Sequence, residues 1–167
     1  MRKSRELQND AEYHVTAKIN RGEFILESDE IKDLFLQIVL RAKKKYSFQI
    51  RGFTIMDNHV HFLMKPGKED CLSRIMQWIL SVFAIYYNKM YNLKGHVWHD
   101  RFKSKVIKSF RQLIATFKYI CDNPVKADMV KDPQKYLYGT LWFIHQKRFD
   151  FVERPDFILQ LSLPEYF

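Results

Sequence analysis

Two hydrophobic periodicities alternate along this chain, and their order limits the folds that it can adopt. Apolar residues at every second position predict strands, and apolar residues that recur every three or four positions predict helices. The sequence predicts strands over residues 13–19, 48–56, 59–65 and 101–107, and helices over 28–45, 72–93 and 110–122. The order strand, helix, strand, strand, helix, strand, with further helices after it, predicts an α+β fold. This is the ferredoxin-like, or RRM-like, antiparallel sheet with helices packed on one face.

Two of the predicted helices carry more specific expectations. The helix over 110–122 is expected to end at Asn123, because the residue before a proline disfavours helical geometry. In the helix over 72–93, an apolar stripe extends to Met90, and we expect Tyr86 and Tyr87, which flank the stripe, to be core residues.

Composition favours one folded domain with a polyanionic partner. The chain has 167 residues, of which 47% are hydrophobic and 16% aromatic, so we expect a single domain over 1–167. The formal net charge of +9 suggests nucleic acid or an anionic membrane surface, although many basic proteins are basic for solubility alone. With no apolar span and no signal sequence, we expect a cytoplasmic protein whose Cys71 and Cys121 form no disulfide.

His59 and His61 are the first candidates for chemistry. Residues two apart on a strand face the same way, so both imidazoles project together. The apolar residues between and after them then point at the core. Two imidazoles on one face suit a metal ion, and their ligand chemistry alone allows zinc or manganese.

Tyr119 is the second candidate. On the helix over 110–122 it lies almost opposite the apolar face, and Asn123 lies beside it if the helix continues that far. A surface tyrosine stacked on a neighbour is the alternative interpretation. The apolar face contains Phe110, Leu113, Ile114, Phe117 and Cys121.

Two further groups of residues are weaker candidates. Arg101, Lys103 and Lys105 alternate along the last predicted strand and would share one face, either as a cationic stripe for phosphates or as a solvated side of the sheet. In the loop before that strand, His96 and His99, with Asp100, form a rival metal group, but nothing in a loop fixes the orientations of their rings.

Four sequence blocks, taken in order, resemble the single-tyrosine HUH transposases, and most of all their REP-associated branch. HUH denotes histidine, a bulky hydrophobic residue and histidine. The blocks are YHVT at 13–16, MDNHVHFL at 56–63, WHDRF at 98–102 and YICDNPVKA at 119–127. The resemblance covers about residues 12–140 and leaves 141–167 as a C-terminal extension. Asp57, where relatives often carry proline, is a departure within a turn and puts no catalytic residue in doubt.

The resemblance implies a mechanism, a cofactor and a substrate. Tyr119 would be the nucleophile, on a helix laid across the histidine face of the sheet, and the metal, usually Mg²⁺ or Mn²⁺, would be bound by His59, His61 and Asn123. Relatives cleave and rejoin single-stranded DNA with imperfect hairpins through a 5′-phosphotyrosine, as in the transposition of mobile elements in prokaryotes. The residues expected to hold such DNA are Arg101, Lys103, Lys105, Arg2, Lys3 and Arg5.

Some alternatives stay open at this level. The chain is also compatible with a hairpin-binding protein that cuts nothing, or with a metal-dependent nuclease that uses water while Tyr119 stacks on a base. Relatives differ in whether the tyrosine acts in its own subunit or in a partner's, so a homodimer is a further expectation to test.

Overall fold

The computed structural model describes residue 8 and residues 10–167. Its strands are β1 (Tyr13–Lys18), β2 (Phe48–Ile55), β3 (His59–Pro66) and β4 (Lys103–Val106). Its α-helices are α1 (Asp29–Lys45), α2 (Leu72–Met90), α3 (Phe110–Lys126), α4 (Thr140–His145) and α5 (Phe157–Ser162). None of the helices in this part of the chain is both long enough and apolar enough to cross a membrane.

The four strands form one sheet in the order β2-β3-β1-β4, and every neighbouring pair is antiparallel. This is the ferredoxin-like arrangement that the sequence predicts, so the predicted fold class is confirmed. The tight turn between β2 and β3 is closed by the Met56 N–H, which donates to the carbonyl of His59 over 2.8 Å.

The apolar face of the sheet packs against α1 and α2. Val60, Phe62 and Met64 of β3 are at most 1% exposed, and the Phe62 ring stacks on Phe35 of α1 with 6.2 Å between centroids. The alternation along β3 therefore buries these three residues and directs the intervening histidines to the opposite face.

The opposite face is covered by α3. A Cβ atom at Gly52 of β2 would lie only 3.4 Å from the Phe117 ring, so the glycine allows the helix to approach the strand closely. The C-terminal segment holds α3 from outside, because the Tyr166 hydroxyl donates to the Asp122 carboxylate and Lys118 Nζ lies 3.4 Å from Glu165.

The predicted end of α3 is wrong. The helix does not stop at Asn123 but continues through Pro124 to Lys126. Pro124 lacks the N–H that would bond to the preceding turn, but its ring is buried, and the Ala127 N–H donates to the carbonyl of Asn123 over 3.1 Å. Packing of the proline thus outweighs its local preference, and Asn123 lies on the helix one turn after Tyr119.

Two predictions about apolar residues on the helices are also corrected. Tyr86 and Met90 of α2 are 44% and 47% exposed, and the Tyr86 hydroxyl accepts a hydrogen bond from Arg41. Phe110, at the first position of α3, is 47% exposed. The buried stripe therefore does not reach the C-terminal end of α2 or the first residue of α3, where the side chains face solvent.

The edge strand β2 is covered by the residues that follow α3. The Ile55 N–H donates to the carbonyl of Tyr138, and the Glu153 N–H donates to that of Ile50. The buried hydroxyl of Thr140 accepts from the Phe53 N–H over 2.6 Å and donates to the Phe53 carbonyl over 2.8 Å. These bonds satisfy the unpaired backbone groups of a sheet edge.

Thr140→Val is expected to destabilise the protein without changing its shape. The substitution keeps the volume but leaves two buried backbone groups of Phe53 without a partner, which costs about 1–3 kcal/mol of unfolding free energy. Urea denaturation measures this change, with Thr116→Val in α3 as the matched control. An unchanged denaturation midpoint for Thr140→Val would show that the bridge contributes nothing.

Candidate active site

The two histidines of β3 lie side by side on the face that α3 covers. His59 is in register with Lys18 of β1, and His61 with Thr16, and the centroids of the two imidazoles are 4.9 Å apart. His59 is half-buried, whereas His61 is only 4% exposed. The strand alternation thus presents two imidazoles together at a covered part of the sheet.

The orientation of the His59 ring is fixed by its neighbour Asn58. Nδ1 of His59 lies 2.7 Å from the side-chain oxygen of Asn58, which can only accept a hydrogen bond. Nδ1 therefore carries the proton, and Nε2 presents its lone pair. A metal-ligating histidine is typically held in this way, through its other nitrogen.

His61 is held by two side chains of β1. Its Nδ1 lies 3.0 Å from the Thr16 hydroxyl and 3.0 Å from Nε2 of His14. Burial is the main cause that lowers the pKa of His61 from 6.5 to about 3, and the neighbouring imidazoles and the Lys18 ammonium add to it. Burial and Lys18 likewise lower the pKa of His59. Both rings are thus in the neutral form that can coordinate a metal.

Tyr119 of α3 lies next to one of these two histidines, His61, and next to His14 of β1. Its ring lies edge-on to His61 and His14, with centroid distances of 5.5 and 5.8 Å, and is 42% exposed. The ammonium of Lys126 lies 5.0 Å from the centroid of the same ring. The phenol is therefore solvent-accessible, close to the imidazoles and next to a cation, with all of these groups supplied by one chain.

Asn123 lies one helical turn beyond Tyr119 and is half-buried. Its amide nitrogen donates to the Tyr119 carbonyl over 3.4 Å, so the nitrogen is occupied and the amide oxygen is the atom that could serve as a ligand. Because α3 continues through Pro124, Asn123 projects from the same helix as the tyrosine.

The imidazoles of His59 and His61 and the amide oxygen of Asn123 supply only part of the ligands that a divalent metal needs. Among the described residues, no group of three or more His, Cys, Asp or Glu side chains is arranged to hold a metal ion. The two neutral imidazoles with fixed rings are suitable ligands, and an amide oxygen is a harder donor of the kind that Mg²⁺ and Mn²⁺ accept. A complete coordination shell would need water or substrate oxygens.

The cationic residues of the last strand are placed differently from the prediction. Lys103 and Lys105 are exposed on β4, in register with Thr16 and His14, so they share the face of the histidines. Arg101 is not on the strand, which begins at Lys103. Its N–H donates to the Asp100 carboxylate over 2.7 Å, which turns the chain before the strand. Arg2, Lys3 and Arg5 lie outside the described residues.

His96, His99 and Asp100 do not form a metal group. His99 instead lines a cavity together with His59. His14, Asn58 and Lys126 also lie at the site but are not among the site residues predicted from the sequence. Lys126 could have been found from its place two turns after Tyr119 on a helix that continues, whereas no local pattern in the sequence identifies His14.

Comparison with known proteins gives a family match and two structural likenesses. Residues 7–123 match the family described as "Transposase IS200 like". The structure resembles that of a REP-associated tyrosine transposase bound to a REP hairpin, with a TM-score of 0.74 and 19% identity over 94% of each chain. It also resembles a candidate transposase of Deinococcus radiodurans R1, with a TM-score of 0.51 and 17% identity over 72% of this chain and 95% of the other. No curated protein matches significantly.

The structural likenesses, at 17–19% identity, show the fold alone. The family match rests on the sequence and covers most of it. The chain therefore belongs to the IS200-like transposases.

Proposed function

We propose that this protein cleaves and rejoins single-stranded DNA through a covalent bond to Tyr119. The observation that carries the proposal is the position of the accessible phenol, edge-on to His61 and His14 of the same chain. A tyrosine that served only for packing would have no need of a candidate metal-ligating imidazole, that of His61, beside its ring. Membership of the IS200-like transposases also supports a reaction that cleaves DNA.

The reaction follows from these groups. The Tyr119 oxygen attacks the scissile phosphorus in line and loses its proton, while the bond to the 3′-oxygen breaks and that oxygen is released as a hydroxyl. The product is a 5′-phosphotyrosine. Because the ester keeps the energy of the broken bond, a second 3′-hydroxyl can reverse the step and join two strands without a nucleotide cofactor.

His59 and His61 would hold the divalent metal, Mg²⁺ or Mn²⁺, and Asn123 would complete the protein ligands through its amide oxygen. A metal bound there supplies stabilisation of negative charge on the phosphate, which is worth several kcal/mol. Asn58 and Thr16 keep the two imidazoles in their ligating orientation. Lys126 stabilises the charge that develops on the phenol oxygen as its proton leaves.

The substrate that fits is DNA that folds into imperfect hairpins, as in the similar transposase bound to a REP hairpin. Lys103 and Lys105 face the same side as the histidines and would contact backbone phosphates. Tyr119 and His61 meet within one chain, and we propose that the tyrosine acts in its own subunit.

A denaturing gel with labelled hairpin DNA tests the proposal. After incubation with Mn²⁺, a fraction of the label should stay with the protein and a shorter strand should appear. A protein that binds DNA without cutting it would give neither product, and a nuclease using water would give the short strand without the adduct.

Reversing the charge of both Lys103 and Lys105 to Glu is expected to weaken binding to all single-stranded sequences alike. Each lost phosphate contact should reduce the slope of log K against log salt by about 0.7. Fluorescence anisotropy over a salt series measures the slope. Lys44→Glu with Lys45→Glu, on α1 at the opposite face of the sheet, is the charge-matched control. Equal binding by the two double variants would contradict the assignment of β4 as the phosphate-binding strand.

A further inference from the structure

A buried lysine of α1 contacts the turn that joins β2 to β3. Lys32 is only 3% exposed, and it is the one Asp, Glu, Lys or Arg side chain that is buried in the described part of the chain. Its ammonium donates to the Asp57 carboxylate over 2.7 Å and to the carbonyl of Glu27 over 2.9 Å. The same ammonium lies 5.5 Å from the centroid of the Tyr138 ring. Lys32 thus ties the turn residue Asp57 to the segment that precedes α1.

The residue after Asp57 is the one that orients His59. The side-chain oxygen of Asn58 lies 2.7 Å from Nδ1 of His59, and its amide nitrogen donates to the carbonyl of Gly22 over 3.5 Å. The backbone carbonyl of Asn58 accepts from the Ile19 N–H over 2.8 Å. The Asn58 amide therefore presents its oxygen to His59 only while the turn keeps its place.

The ion pair of Lys32 and Asp57 is better suited to fixing a geometry than to adding stability. Moving a charged ammonium out of water costs free energy that offsets most of its attraction to a carboxylate, so apolar side chains of similar volume would stabilise the fold about equally well. An ion pair differs from apolar packing because its hydrogen bonds are directional and favour one arrangement. The pair therefore limits the positions that Asp57, and with it Asn58, can take.

We propose that Lys32 is a positioning residue for the metal site. Through Asp57 it holds the turn so that Asn58 accepts a hydrogen bond from Nδ1 of His59, which leaves Nε2 of that imidazole free to bind a divalent cation. This inference rests on the proposed function, because it gives the turn a role in the metal binding of that reaction. It concerns the orientation of one imidazole, which is observable without metal or DNA, and it can fail while the tyrosine chemistry holds.

Two double variants separate positioning from stability. Lys32→Met leaves the Asp57 carboxylate without this partner, so it is combined with Asp57→Ala in the alanine variant and with Asp57→Pro in the proline variant. Neither carries a charge at these positions, but only proline restricts the backbone of the turn, and relatives often carry proline there. Lys43→Met is the matched control, about three turns further along α1. Lys43 likewise donates to a carbonyl, that of Phe151 over 2.8 Å, and lies 3.7 Å from the Glu153 carboxylate.

Nitrogen-15 NMR of the metal-free protein measures the state of the imidazole directly. Correlations between the ring nitrogens and the ring protons show which nitrogen carries the proton, and the spectrum of His59→Ala assigns the signals. The parent protein, Lys43→Met and the proline variant should show His59 protonated at Nδ1 alone. The alanine variant should show a mixture of the two tautomers, although its free energy of unfolding in urea stays close to that of the parent.

Mn²⁺ titration followed by electron paramagnetic resonance should rank the variants in the same order. The alanine variant should bind Mn²⁺ about 10–100-fold more weakly than the parent, as for loss of a group that orients a metal ligand, and the proline variant should recover most of this loss. A parental tautomer in the alanine variant, or equal effects of alanine and proline, would overturn the inference. A parent protein that binds no Mn²⁺ would instead contradict the proposed metal site, and the tautomers would still decide the role of Lys32.

Discussion

Tyr119→Phe is expected to abolish strand cleavage and the covalent adduct while leaving the fold and DNA binding intact. The substitution removes one oxygen from a ring that is 42% exposed, so it costs little packing. Phenylalanine has nothing with which to attack phosphorus, and the loss of a catalytic nucleophile lowers rates by roughly 10³-fold or more. Single-turnover cleavage of labelled hairpin DNA, together with anisotropy for binding, measures both effects.

Tyr86→Phe and Tyr87→Phe are the matched controls for this prediction. Each removes one phenol oxygen from α2, on the far side of the sheet from the histidines, and both variants should cleave normally. Comparable cleavage by Tyr119→Phe would mean that water is the nucleophile, and the tyrosine mechanism would then be wrong even if the fold and the metal ligands were right.

His59→Ala is expected to abolish metal-dependent cleavage. Loss of one of two imidazole ligands removes most of the metal's stabilisation of the reaction, which corresponds to at least roughly a hundredfold in rate. Chelation of the wild type should have the same effect, reversed by Mn²⁺ or Mg²⁺. Mn²⁺ titration followed by electron paramagnetic resonance gives a readout that does not depend on activity.

A graded series makes the test of the metal site sharper. Asn58→Ala removes only the group that orients His59, so metal affinity should fall by about 10–100-fold rather than vanish. His145→Ala, at an exposed position of α4, should leave affinity and cleavage unchanged. His61→Ala should also be inactive, but this side chain is buried, so its thermal stability must be measured alongside. Normal Mn²⁺ binding by His59→Ala would show that the metal site lies elsewhere.

The placement of the two histidines could be predicted from the sequence because a strand has a side-chain period of two. Once Val60 and Phe62 identify the core face, His59 and His61 must lie on the other. The groups that orient the rings could not be found in this way. Thr16 contacts His61 only because β1 pairs with β3 in one particular register, which no local pattern specifies.

The two errors near the site have the same physical origin. Both predictions rest on local preferences. The end of α3 is predicted from the conformation that the residue before Pro124 prefers, and the place of Arg101 on a strand is predicted from cationic residues at every second position. In the structure, burial of the Pro124 ring keeps α3 helical, and the Asp100 carboxylate turns the chain at Arg101 before β4 begins. Tertiary packing and a side-chain hydrogen bond outweigh propensities that are worth only about 1–3 kcal/mol.

Mass spectrometry of the protein–DNA adduct tests the central claim most directly. Wild-type protein is incubated with hairpin DNA and Mn²⁺, denatured, and digested with nuclease and trypsin. The account predicts that a nucleotide is attached through its 5′-phosphate to Tyr119, in the tryptic peptide YICDNPVK that spans residues 119–126. An adduct on any other residue, or cleaved DNA with no adduct in any peptide, would contradict it.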